Sequence, residues 1–432
     1  MNRGAFYALL LAMLTTSLGV GLIVPLLPIY ASNLGAGGIW IGLIFGANPL
    51  VRGAFTLVVG GLADRREKKS LMSWGLLGYA AVSLAFLFSR TPMHLFLARM
   101  AQGAFSAMIM PVARAYAGEL APKGREGVTM GQFALAFTVG FAIGPLAGGI
   151  LNDNFGMAAP FLGMTGLSVL AWLFVRLSVP PRFPTAEGLA RHGGLDVRPL
   201  KDRQVVGLIA GRTLGELGRG IFTALMPVYG SEQLLLSTSQ TGLIVTMRSG
   251  AESLMQPVSG KASDRLNRRT VCMVGFVLMP IALFLAPTAR SFYSLALVGL
   301  FLGSSSGVSV PAAGAISVEK GRQYGMGSMM GLEAAAQALG MAAGSTIGGT
   351  LMQLFSVTVA FWAAAAAALA GAVIFGSLTR GYVNGQADAV LVTASPGARV
   401  SSRGRHPAAP ACNRFLDAPE PTPAPAPSST AQ

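Results

Sequence analysis

The sequence predicts an all-α membrane protein whose twelve transmembrane helices form two pseudo-symmetric bundles of six. Three observations carry this expectation. Hydrophobic residues make up 52% of the chain and charged residues 11%, with a mean hydropathy of +0.58, whereas a soluble domain carries roughly 25% charge. The first 380 residues contain twelve apolar runs, each close to the ~20 residues that cross a bilayer as a helix. The second half repeats the first at an almost constant offset of 200 residues.

The runs fall near 6–30, 40–62, 70–89, 92–118, 128–151, 157–178, 204–230, 240–262, 271–288, 291–318, 325–352 and 356–379. Each is expected to be a helix, because in lipid the backbone polar groups must be satisfied within their own segment. Membrane strands would instead read as alternating stretches of about 10 residues. The first run follows Arg3 and reaches Tyr30. That exceeds the roughly 7–15-residue core of a signal peptide, and no small-x-small cleavage site follows it, so it is a retained first span.

Between the second and third runs lies the charged turn Gly60-Gly61-Leu62-Ala63-Asp64-Arg65-Arg66-Glu67-Lys68-Lys69, and between the eighth and ninth lies Gly260-Lys261-Ala262-Ser263-Asp264-Arg265-Leu266-Asn267-Arg268-Arg269. The offset also pairs Gly103 with Gly303, Pro111 with Pro311, Glu119 with Glu319, and Gly140, Gly144, Gly148 and Gly149 with Gly340, Gly344, Gly348 and Gly349. An even number of spans per half gives both halves the same orientation, related by an axis along the membrane normal.

The net charge of +15 is distributed in alternate loops. Arg65 to Lys69, Lys123, Arg125, the segment 182–203, Lys261 to Arg269, Lys320, Arg322 and the tail lie on one side; the other side has little beyond Arg90 and Arg290. By the positive-inside rule that basic side is cytoplasmic, with both termini on it, in an inner membrane. The charge then reports topology and contact with the bilayer rather than a nucleic-acid partner. The expected layout is a first bundle at 1–178, a cytoplasmic linker at 179–203, a second bundle at 204–380 and a disordered tail at 381–432, which holds eight of the 25 prolines from 384 onward.

Chemistry of other kinds finds little footing. Cys272 and Cys412 make no disulfide framework, and His94, His192 and His406 are too scattered for a metal site. No G-x-x-x-x-G-K-[ST] loop is present. Neither catalysis, nor a cofactor, nor ATP-driven transport by this chain alone is expected.

The doubled turn, Gly60-x-x-Ala63-Asp64-Arg65-x-x-Lys68-Lys69 and its copy at 260–269, resembles the loop signature of the major facilitator superfamily, with Glu67 and Asn267 where the family pattern has Gly. The resemblance covers residues 6–380. It implies the major facilitator fold and alternating access, with Asp64, Arg65, Asp264 and Arg265 latching the cytoplasmic side. Arg99-x-x-Gln102-Gly103 resembles a family motif whose Arg is tied to proton coupling, and Gly140-x-x-x-Gly144-Pro145-x-x-Gly148-Gly149 resembles the antiporter motif of twelve-helix drug:proton exporters. Physically, small residues four apart make a close-packing face and Pro145 favours a bend. Ser345 stands at the equivalent place in the second half, so that bend is not duplicated.

Exporters of this group often carry an acid in the first span, and none lies between Phe6 and Tyr30 here. Glu216, Glu252 and Glu333 are the carboxylates that could replace it. Arg212 at i−4 and Arg219 at i+3 flank Glu216, and Arg248 and Glu252 form an i,i+4 pair, all within reach along one helix face; no partner for Glu333 is evident. Such pairs either exchange a proton when substrate displaces the Arg or stand as permanent structural ion pairs. With Arg52 and Arg99, arginines outnumber carboxylates in the spans by five to three, which favours an anionic or zwitterionic substrate if they share a cavity. The resemblance places the first, fourth, seventh and tenth spans around that cavity, and so Arg99, Arg212, Glu216 and Arg219 within it. The resulting expectation is a secondary transporter exporting small amphiphilic or drug-like molecules against protons. Uptake of an organic anion, and a non-transporting sensor acting through the tail, are the alternatives.

Overall fold

Pro25 interrupts the first apolar run, because its ring removes an amide hydrogen from the helix ladder, and two helices result: α1 (Arg3–Ile23) and α2 (Leu26–Asn33). The computed structural model describes residues 3–63, 66–120, 126–180 and 198–382. Asp64, Arg65, most of the expected linker and the tail from 383 lie outside the described residues. The first half continues with α3 (Gly38–Ala63), α4 (Lys68–Leu87), α5 (Pro92–Leu120), α6 (Glu126–Phe155) and α7 (Ala158–Ser178). The second half comprises α8 (Arg203–Gln233), α9 (Thr238–Arg265), α10 (Arg268–Leu285), α11 (Phe292–Tyr324), α12 (Met326–Leu354) and α13 (Val357–Leu378). With α1 and α2 counted as one, these are twelve spans among the described residues.

By length and composition alone nine spans are apolar enough to cross a membrane. The three that fall short are α8, α9 and α12, which hold Arg212, Glu216, Arg219, Arg248, Glu252 and Glu333.

The repeat is visible in how the helices pack. In the first half α1 packs on α6 and α7, α3 on α5, and α4 on α5 and α7; in the second, α8 packs on α12 and α13, α9 on α11, and α10 on α11 and α13. Matched glycines make matched contacts. A Cβ on Gly144 would lie 2.6 Å from Gly21 Cα, and one on Gly344 would lie 2.7 Å from the backbone carbon of Leu217. Tyr30 OH donates to Ser89 O at 3.0 Å, as Tyr229 OH does to Ala289 O at 2.6 Å, each tying the end of its half's first span to the turn after the third. Ser345, in place of Pro145, bonds back to Met341 O at 3.1 Å, a hydroxyl contact that often bends helices.

At the basic end, Asp202 caps α8 by accepting from Gln204 N at 2.8 Å and ties it to α11 through Lys320 Nζ at 2.8 Å and Tyr324 OH at 3.2 Å. Burial opposes ionisation of this carboxyl, but the ammonium, amide and phenol donors outweigh it and hold it below the usual carboxylate range. Its stabilisation is therefore complete above the ordinary carboxylate range and is lost as pH falls through the depressed value. Asp202→Ala is expected to lower stability by about 1–2 kcal/mol near neutrality. In detergent melts the gap from the parent should close with acidification; a gap that persists undiminished in acid argues against the assignment.

The second charged turn is anchored by the residues that follow the expected latch pair. Asp264 and Arg265 are exposed and make no ion pair among the described residues. The anchoring groups are Arg268, which pairs with Glu319 at 2.9 Å, Arg269, which donates to Gly376 O at 2.9 Å, and Asn267, which caps α10 and donates to Tyr382 O. Burial, followed by the bond to Glu319, pushes the Tyr382 phenol up.

Candidate functional site

Residues 212, 216 and 219 share one stripe of α8, following the i, i+4, i+7 spacing of a helix face. From it two ion-pair systems reach neighbouring helices. Arg212 Nε lies 3.4 Å from Glu333 Oε1 on α12. Arg219 Nη1 lies 3.6 Å from both Glu216 Oε1 and Glu252 Oε1, bridging α8 to α9. These contacts revise the pairing expected along single helices. Arg212 turns to Glu333 rather than Glu216, which supplies the missing partner, and Glu252 pairs with Arg219 rather than Arg248. A same-helix pair contributes only about 0.2–0.5 kcal/mol, so a partner on an adjacent helix readily displaces it.

The cluster is buried and incompletely satisfied. Glu216 is 3% exposed and Arg248 7%. Glu216 Oε2, Arg219 Nε, Arg248 Nη1, Thr223 Oγ1 and Ser249 Oγ have no hydrogen-bond partner among the described residues. In a low-dielectric interior such groups are expensive to leave bare, so this is where binding a proton or a polar ligand group gains most.

Arg99 is not part of that cluster. Its Nε donates to Ile44 O at 3.3 Å, its Nη1 to Gln102 Oε1, and its guanidinium stands 5.5 Å from the Phe45 ring centroid. Gln102, fully buried, passes the network on to Tyr79 OH at 3.0 Å and Met164 Sδ. All these partners lie in the first half, and no hydrogen bond or ion pair joins Arg99 to Glu216 among the described residues. Arg52, half-buried, lies within electrostatic reach of Tyr79 and Arg99. Among the described residues Arg52, Arg99 and Arg248 form no ion pair.

The antiporter-like stretch of α6 has two working faces. Gly140, Gly144 and Gly148 lie against Leu14 to Leu22 of α1, within the first half. Pro145, Leu146 and Gly149 face α9 of the other half: Gly242 lies against Pro145 O, a Cβ on Gly149 would fall 2.7 Å from Ser239 Cα, and Leu146 N donates to Thr246 Oγ1 at 3.3 Å. The equivalent seam joins α3 to α12, with Gly38, Gly42 and Gly46 against the backbone of residues 342–353. Both seams are tight toward the end opposite the basic loops. Further along the α6–α9 pair, a Cβ on Gly131, Gly250 or Gly260 would meet nothing within 4 Å among the described residues, whereas one on Gly53 of α3 would still meet Ala338 of α12 at 2.9 Å. The α6–α9 contact is thus close at the opposite end and open at these positions toward the basic end.

Sequence reasoning missed the polar closure of those seams. Asp153 on α6 accepts from Ser239 N at 2.8 Å, Thr238 N at 3.3 Å and Thr238 Oγ1 at 2.6 Å; Gln353 Oε1 on α12 accepts from Ile39 N at 2.9 Å; and Ser32 Oγ donates to Glu232 at 2.7 Å. The available signal was the offset itself, which pairs 153 with 353 and 39 with 239.

Two like halves of six spans, joined by glycine seams and with a buried charge cluster in the second half, define a membrane transporter. The chain belongs to the Major Facilitator Superfamily, whose profile matches residues 9–233 and 208–407. It is therefore an integral multi-pass membrane transporter of small molecules and not an enzyme. An uncharacterized MFS-type transporter of Methanocaldococcus jannaschii is 29% identical over 356 residues, 79% of this chain and 90% of that one. The multidrug resistance protein MdtG of Salmonella paratyphi A is 24% identical over 374 residues, 84% and 91% of the two chains. Among solved structures, a bacterial homolog of the human lysosomal transporter Spinster, inward-facing and occupied, superposes with a TM-score of 0.75 at 13% identity, covering 87% of this chain and 96% of that one.

Proposed function

We propose that the protein exports small amphiphilic or drug-like molecules in exchange for protons, by alternating access across an inner membrane with both termini in the cytoplasm. The observation that carries this reading is the buried Glu216–Arg219–Glu252 bridge between α8 and α9, with Glu216 Oε2 bare beside it. A proton on Glu216 relieves that oxygen and loosens its hold on Arg219, so proton and substrate compete for one set of contacts. The linker at 179–203 joins two bundles, 1–178 and 204–380, that move as bodies about the α3–α12 and α6–α9 seams. Residues Arg212 and Glu333 take part as the second buried pair, Arg99, Gln102 and Arg52 as the polar lining of the first half, and Asp64, Arg65, Asp264 and Arg265 as the latch formed when the basic end closes. Gly140, Gly144, Pro145 and Gly148 give α6 its two faces. The likeness to MdtG supports the exporting direction.

The test is movement of a fluorescent amphiphilic cation in proteoliposomes under an imposed pH gradient. Glu216→Gln is expected to reduce gradient-driven movement by about tenfold or more while counterflow exchange without a gradient continues. Counterflow and gradient-driven movement that are both insensitive to pH in the parent protein would overturn the proton part.

A second reading, passage of an organic anion, is favoured by one observation: Arg52, Arg99 and Arg248 lie in the spans without an ion-pair partner among the described residues, and Arg248 Nη1 is bare. Accumulation of a labelled carboxylate that disappears in Arg248→Ala is the result that would prefer it.

A further inference from the structure

The two seams at the end opposite the basic loops each close on a helix N-terminus capped from the other half. The first amides of a helix have no partner inside it. In α9, Ser237 Oγ takes the amide of Gln240 at 3.2 Å, and Asp153, reaching across from α6, takes those of Thr238 and Ser239 together with the Thr238 hydroxyl. Asn152 Nδ2 adds a bond to Thr238 Oγ1 at 3.0 Å. In α3, the amide of Ile39 is taken by Gln353 Oε1 from α12. By the 200-residue offset these are one contact built twice, residue 153 on 239 and residue 353 on 39. The α9 copy has the more bonds, and the two differ in the acceptor itself: one is a carboxylate, which can bind a proton, and the other is an amide, which cannot.

We propose that Asp153 is a proton-sensitive closure of this end of the transporter, so that protonation of its carboxyl from the adjoining aqueous side releases the α6–α9 seam while the α3–α12 seam keeps its neutral cap. An ionised carboxylate accepts all three bonds with charge assistance and complements the positive N-terminal end of α9. A protonated one loses the charge and turns one acceptor oxygen into a donor facing donors. Closure therefore weakens when protons are abundant on that side, which couples opening to proton supply without any contact with substrate.

The surroundings keep the response specific to this group. The first turn of α9 presents only hydroxyls and amides to Asp153. From α1, packed on α6, the described titratable group is Tyr7, and from α2 it is Tyr30, whose hydroxyl bonds to Phe86 O and Ser89 O inside its own half. The start of α7 carries no acid or base before Arg176. The other acid at this end, Glu232 of α8, is exposed and takes its single bond from Ser32.

The test needs no substrate and is independent of the export reading. Nitroxides at Phe155→Cys and Leu235→Cys, both well exposed at this end, in a chain lacking Cys272 and Cys412, report the separation of the halves by pulsed electron resonance. Between about pH 8 and about pH 2, a range that runs well below the ordinary carboxylate value, the short-distance population is expected to fall by more than half. Asp153→Asn should be more open at every pH and lose that dependence. Glu232→Gln, which keeps an acceptor for Ser32, should retain it. Gln353→Glu should add a second acid-labile cap and enlarge the response, which keeps the proposal testable should Asp153→Asn not fold. A parent distribution that does not change with pH, a full response in Asp153→Asn, or no added response in Gln353→Glu would each overturn it.

Discussion

Arg219→Ala is expected to destabilise the folded transporter by about 3 kcal/mol, because it leaves two buried carboxylates without their shared cation. Glu216 and Glu252 have side chains only 4% and 17% exposed, and each lies 3.6 Å from the same guanidinium nitrogen. Removing the cation leaves two like charges facing each other across α8 and α9, an arrangement that can relax only by taking up protons or letting the helices part. In detergent the melting temperature should fall by roughly 5 °C, with more of the loss recovered in acid than for the parent. The double variant Arg219→Ala, Glu252→Gln should regain much of it. A double variant no better than the single one would mean the bridge is incidental to stability.

Gly144→Val is expected to have the larger effect, eliminating most folded protein. A Cβ at 144 would stand 2.6 Å from Gly21 Cα, 2.7 Å from Leu18 O and 2.9 Å from Gly21 C. All three are backbone atoms that no rotamer change can move, so α1 and α6 must separate along their length. Overpacking of a core commonly costs about 1–3 kcal/mol when side chains can yield, and here they cannot. Gly131→Ala, on the same helix, meets nothing within 4 Å among the described residues and should be neutral or gain up to about 1 kcal/mol in helix propensity. Monodisperse protein recovered from size-exclusion chromatography measures both; equal yields would contradict the contact geometry.

These examples mark what was legible in the sequence. The spans and their number follow from the length of apolar runs, a one-dimensional property. The glycine seams follow from the repeat, since a position needing no side chain in one half needs none at the matching place in the other. The partner of Arg212 was not legible: spacing along α8 offers Glu216, and only the approach of α12, set by Gly340 lying against Thr213 and Glu216, brings Glu333 within reach. The partners of Arg99 were not legible for a related reason, because a helix position specifies depth in the membrane but not which neighbour the side chain turns toward. Asp153 carried a signal that composition obscures, being an acid at the end of an apolar helix that reads as a surface residue until position 39 is set beside 239.

The bare-backbone character of the seams has a mechanical consequence. Where Gly38, Gly42 and Gly46 run along α12, and where Gly242 runs along α6, backbone atoms stand directly across the join. Contacts this close leave no room for adjustment by a rotamer. A side chain added at any of these glycines would therefore act as a wedge, prising the two halves apart at that end.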